Sequence, residues 1–233
     1  MSKSLKITCI TVGVIMIGIG ITLLFINPMV VGTLPEGFVT PIVALQFIQN
    51  TNDLSNFFDI ITVESIKRDL ILGNQIDFAY MASYALFAML CCGLMYLENR
   101  VKSLWLSIPI IALILVADVF ENLYLFEILT INTYSNADLL LKQLHLFTWL
   151  KWGGLSALML LFSVHFLQGS WAKVILGIIL LSSFIIGGVA FYLGGIWCEL
   201  LAINIMIGFT GLFIFSITWK PDSYRASDNS ITE

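Results

Sequence analysis

Three polar residues stand close together in an otherwise apolar run: Asp118, Glu121 and Asn122. Their spacing is i, i+3, i+4. On a helix turning 100° per residue they fall within an arc of about 100° and share one face. A second stripe begins at Asp77 and continues through Tyr80, Met81, Tyr84, Ala88 and Cys91. A third segment carries Lys151, with Thr148 on a neighbouring angle, His145 somewhat off it and Trp152 beside it. Carboxyls, an amine, phenols and an amide are the groups that carry protons, bind cations or serve as general acids and bases.

The charges do not balance. Asp77, Asp118 and Glu121 bring three potential negatives against the single Lys151. Uncompensated charge does not persist in a medium of low dielectric. Either one carboxyl keeps a proton, or a cation or further donor joins the group. A purely structural pairing of the same residues, fixing how three helices pack, is the competing reading.

The elements that hold these residues follow from composition. The chain has 233 residues, of which 59% are hydrophobic and only 11% charged. Soluble domains carry about 25% charged residues, so the composition rules out disorder and points away from a water-soluble globule, toward a polytopic membrane protein. The net charge of −4 is small and dispersed, unlike the clustered basic face of a nucleic-acid-binding protein. A bilayer core needs roughly 20 apolar helical residues to cross it. Six stretches reach that length: Ile7–Ile26, Ile76–Leu97, Leu104–Thr130, Gln143–Leu167, Val174–Leu193 and Ile196–Trp219. They are too long and continuous for barrel strands. The expected fold is all-α, a polytopic membrane helix bundle of six spans forming one domain over residues 1–220, with a polar cytoplasmic tail at 221–233.

Lys and Arg give the orientation. Lys3, Lys6, Arg100, Lys102, Lys173, Lys220 and Arg225 all fall on one side of a six-span arrangement; Lys67, Arg68 and Lys142 fall on the other. Both termini are expected in the cytoplasm, in the inner (cytoplasmic) membrane. The first span is read as a retained helix, since its apolar run exceeds a usual signal sequence and Asn27-Pro28 ends it. At this orientation Asp77, Asp118, Glu121 and Lys151 reach a similar depth. They define an expected pocket between spans two, three and four, open to the non-cytoplasmic side.

Residues 27–75 form the one long external segment. Thr40-Pro41 reads as an N-cap with proline at N1. Asp53 is a candidate cap for a second short helix and Thr62 for a third, with Gly73-Asn74 as its stop. These short amphipathic helices would lie in the outer interface or form a lid; their apolar faces serve either arrangement.

Other signals are weaker. His145 and His165 lie about 30 Å apart along one helix and cannot share a metal or haem; His165 reads as an interfacial residue. Cys9, Cys91, Cys92 and Cys198 form no C-x-x-C pair and no disulfide frame. No nucleotide-binding motif stands in a meaningful context, so no cofactor and no metal are expected. Small-residue stripes such as Ser183, Gly187, Ala190 and Gly194 suit close helix packing, within the chain or in a homo-oligomer.

Thr40-Pro41 with Leu45, Asp77 with Tyr84, the run Ala117-Asp118-Val119-Phe120-Glu121-Asn122, and Lys151-Trp152 together resemble a group of small bacterial multi-pass membrane proteins of unassigned function. The likeness spans about residues 36–165. It implies a bacterial cytoplasmic membrane and carries no catalytic role. The multi-histidine zinc set of membrane ceramidase-like hydrolases is missing from this sequence.

Three functions fit these residues. The first is a binding site for a small molecule, lipid or cation, with proton coupling through Asp118 and Glu121, Lys151 as counter-charge and Asp77 at the mouth. The second is an intramembrane enzyme on a lipid-like substrate using carboxyl acid/base chemistry. The third is a structural subunit of a membrane complex. The bilayer and a lipid or small molecule are the expected partners.

Overall fold

The computed structural model describes residues 2–61, 63–99, 102–131 and 137–220. Six helices there are long and apolar enough to cross a membrane, so the chain is a multi-pass membrane protein by length and composition. They are α1 (Ser2–Ile26), α4 (Val63–Asn99), α5 (Ser107–Thr130, preceded by a 3₁₀ turn at Lys102–Leu106), α6 (Asp138–Phe166), α7 (Trp171–Leu193) and α8 (Ile196–Thr218). Two short helices, α2 (Pro41–Phe47) and α3 (Thr51–Phe57), lie in the connection between α1 and α4. No strand occurs among the described residues. Each long helix packs on its sequence neighbour along α4–α5–α6–α7–α8, while α1 returns to lie on α4 and α8. Short connections between antiparallel helices impose this order.

Helix α4 corrects the sequence reading. It runs unbroken for 37 residues, about 55 Å at 1.5 Å per residue, far beyond a bilayer core. The expected third short helix is its first turns, and Gly73-Asn74 does not stop it. Glycine at 73 serves close approach: a Cβ there would stand 2.5 Å from Asn27 Oδ1 at the end of α1. Asn74 is held in the helix by giving its amide to the Asn122 carbonyl at 2.8 Å. Thr62, expected as a cap, and the tail from 221 lie outside the described residues.

The cap of α3 also shifts. Asn50, not Asp53, is the N-cap. Its Oδ1 accepts from the Asp53 N–H at 2.8 Å, and its Nδ2 donates back to Asp53 Oδ2 at 2.8 Å. This reciprocal pair satisfies a free donor of the first turn.

Helix α2 keeps Thr40 as N-cap and Pro41 at N1, but the Thr40 side chain makes no cap bond. Two main-chain donors just before the helix are held from another part of the chain. Glu199 Oε1, from the first turn of α8, accepts the N–H of Val39 at 3.0 Å and of Thr40 at 2.7 Å. Nearby, Gly37 and Gly195 approach so closely that a Cβ on Gly37 would come within 3.1 Å of the Gly195 Cα; both have positive φ. These contacts seat α2 against the bundle. Val43, Ala44, Leu45, Gln46 and Phe47 are all buried. The segment is therefore packed into one end of the molecule, here called the capped end.

Candidate functional site

Helices α4, α5 and α6 meet through polar side chains. The face expected on α5 exists: Asp118, Glu121 and Asn122 are all buried, while Glu127, on the opposite side, is exposed. Helix α6 turns Thr148 and Lys151 toward that face, three residues and just under one turn apart. Lys151 Nζ lies 2.6 Å from Glu121 Oε2 and 2.7 Å from Asp118 Oδ1. The contact with Glu121 is also an aligned hydrogen bond. The contact with Asp118 Oδ1 is an ion pair of similar length without that alignment. Helix α4 supplies Tyr84, whose hydroxyl donates to Asp118 Oδ2 at 2.5 Å. The Asn122 amide donates to Asp77 Oδ2 at 2.8 Å.

Thr148 links this cluster to the external segment. Its hydroxyl lies 2.9 Å from Glu121 Oε1 and 3.2 Å from the Gln46 carbonyl of α2. One hydroxyl carries one proton, so these two acceptors compete for it.

The burial sets the energetic scale. Asp118 and Glu121 are fully buried and Lys151 is 7% exposed. Removing one partner from such a group leaves a buried charge unpaired, which costs about 3–5 kcal/mol, although the intact pair adds little net stability. The described partners of the two α5 carboxyls are an ammonium, a phenol and a hydroxyl, all able to donate.

The structure brings together Asp77, Tyr84, Asp118, Glu121, Asn122, Thr148 and Lys151. Tyr80 touches the group through its ring, 5.7 Å from that of Tyr84. Trp152 adjoins it, with Lys151 Nζ 5.8 Å from its ring. His145 is not among the hydrogen-bonded members. Its Nε2 accepts from Trp149 Nε1 at 3.1 Å, because position 145 lies well off the angle of Lys151. Two cavities of the structure, one beside Met89 and Trp105 and one at the capped end, are lined by residues other than Asp118, Glu121 and Lys151. Helix α2 packs over Thr148, and the groove at the capped end is lined by His145 and Trp149.

His165 has a partner that its position alone did not suggest. It is buried within the protein near the end of α6, and Nε2 lies 3.3 Å from Glu98 Oε2 at the other end of the bundle. Glu98 also accepts from Lys173 at 2.5 Å. This second ionic group joins α4, α6 and α7. Sequence reasoning did not find it, since each member sits at a helix end where polar residues are ordinary. It also missed Asn74 and Gln46. Asn74 had a signal, lying one turn before Asp77 on the same stripe. Gln46 acts through its main-chain carbonyl, which no side-chain pattern reveals.

Among the described residues no three His, Cys, Asp or Glu side chains converge as a metal site. All four cysteines are free thiols, with the sulfurs of Cys9 and Cys91 3.7 Å apart. Comparison with protein-family models, curated proteins and solved structures finds no match to this chain.

Proposed function

We propose that the cluster of Asp77, Asp118, Glu121 and Lys151 exchanges a proton with the non-cytoplasmic side of a bacterial cytoplasmic membrane, and so serves a proton-coupled binding or transport function. The single supporting observation is that one ammonium lies between two fully buried carboxyls, at 2.6 and 2.7 Å. A third carboxyl, Asp77, is tied to the same α5 face through Asn122. Three carboxylates against one ammonium would leave two negative charges in low dielectric, a state that is unfavourable without further positive charge. A proton on a carboxyl supplies it in the smallest volume, which suits side chains already at hydrogen-bond distance from one another. Intramembrane ionisable residues of this kind commonly mark proton relays.

Thr148 gives the cluster a connection outward. With Glu121 ionised, its hydroxyl proton turns toward the carboxylate. With Glu121 protonated, the carboxyl donates to the Thr148 oxygen and the hydroxyl is free for the Gln46 carbonyl. The proton on Glu121 and the hold on α2 are thereby linked. The competing structural reading draws on the same geometry, since a satisfied network also fixes helix packing.

The test is reconstitution into liposomes carrying an imposed pH gradient and an internal pH dye. Wild-type protein should dissipate the gradient faster than empty liposomes, and Asp118→Asn should abolish the difference while the protein still folds. Equal decay with wild-type protein and with empty liposomes would rule out proton transport and leave one-sided proton-coupled binding or the structural reading.

A further inference from the structure

The groove at the capped end is separate from the ionic cluster and has its own chemistry. Its volume is about 520 Å³, within the range of small-molecule sites. One wall is a continuous run of aromatic rings. Phe47 meets Trp149 edge-on at 5.0 Å, Trp149 meets Phe191 at 5.0 Å, and Phe191 meets Tyr192 at 5.5 Å. The run draws on α2, α6 and α7, so tertiary packing builds it. The groove is also lined by Glu36 and Asp53, and no Lys or Arg lines it. His145 Nε2 accepts from Trp149, so its lone pair is already used and the neutral ring carries its proton on Nδ1.

Aromatic faces carry negative potential, and carboxylates beside them add to it. Organic cations, quaternary ammonium groups above all, are recognised this way. A compact inorganic cation would gain less, being strongly hydrated and poorly matched to ring faces. We propose that this groove binds an organic ammonium group, either on a free solute or on the headgroup of a phospholipid. The ammonium sits against Trp149 and its neighbouring rings, with Glu36 and Asp53 as counter-charges. The groove exceeds the volume of a bare trimethylammonium group, leaving space for the rest of the solute or headgroup. This site does not depend on proton exchange at Glu121.

Choline titrated into the full-length protein in a choline-free detergent, followed by calorimetry, tests the proposal. Saturable binding is expected. The neutral isostere 3,3-dimethylbutanol should bind at least several-fold more weakly. Trp149→Leu should weaken choline roughly 2- to 30-fold, the span of one cation–π contact. Glu36 is exposed, so Glu36→Gln will fold and should weaken choline without affecting the isostere. Nanodiscs separate the two sources. If the headgroup of a lipid is the occupant, choline binds in phosphatidylglycerol discs but is blocked in phosphatidylcholine discs. If a free solute is the occupant, it binds in both. Absence of saturable choline binding, or equal affinity for choline and its isostere, would overturn the proposal.

Discussion

Thr148 of α6 and Gln46 of α2 meet through a hydroxyl and a main-chain carbonyl 3.2 Å apart. Through this contact a short helix from the connection after α1 reaches the ion pair between α5 and α6. The same hydroxyl lies 2.9 Å from Glu121, so α2 and the buried carboxyl compete for one proton.

Replacing Thr148 with valine keeps the shape and removes the hydroxyl. The one proton that the two acceptors share is then lost in a buried place, for about 1–3 kcal/mol. Thermal unfolding in detergent should show the loss. A thiol introduced as Val43→Cys, buried on α2, should react faster with a maleimide when Thr148 is valine than when it is threonine. Unchanged reactivity would mean that α2 is held without Thr148.

Glu199 seats the other end of α2. Its Oε1 takes two main-chain N–H groups, and hydrogen bonds to a charged group contribute about 1.5–3 kcal/mol each. Glu199→Leu should expose residues 27–61 to proteolysis while leaving the six long helices intact by circular dichroism. Protection equal to wild type would show that Gly37 and Gly195 alone suffice.

Lys151→Met should be strongly destabilising, by about 3–5 kcal/mol, since it leaves Asp118 and Glu121 without their cation. Combining it with Asp118→Asn and Glu121→Gln should recover much of that loss, because neutral amides do not need a counter-charge. Unfolding midpoints of the two variants make the comparison. A triple variant no more stable than Lys151→Met would argue that shape, not charge, governs this site.

The two adjacent glycines of α6 give a paired prediction. A Cβ at Gly154 would stand 2.7 Å from Ile114 Cγ1, whereas one at Gly153 meets nothing within 4 Å. Gly154→Ala should push α5 away and cost about 1–3 kcal/mol. Gly153→Ala should be neutral or slightly stabilising through helix propensity. Similar unfolding midpoints for both would show that α5 yields without cost.

Much of this was legible in the sequence, for identifiable reasons. Crossing a bilayer takes a minimum length of apolar helix, so six long runs read directly as six helices. The i, i+3, i+4 spacing put Asp118, Glu121 and Asn122 on one face, and comparable depth brought Lys151 and Asp77 to it. The extent of α4 was obscured because Gly73-Asn74 has the composition of a helix stop, whereas contacts with Asn27 and Asn122 carry the helix through it. Which residues serve main-chain groups was hidden as well. Glu199 stood in plain view near the start of its span, but its partners, Val39 and Thr40, are 160 and 159 positions away. His165 and Glu98 are separated by 67 positions and meet only because α4 and α6 end at the same level.

The proposed proton exchange is tested most directly by infrared spectroscopy of the protein in nanodiscs, titrated over pH. A band from protonated carboxyl should appear and titrate in the wild type, and it should shrink or shift in both Asp118→Asn and Glu121→Gln. A wild-type spectrum with no titrating carboxyl band, or one that neither substitution alters, would contradict it.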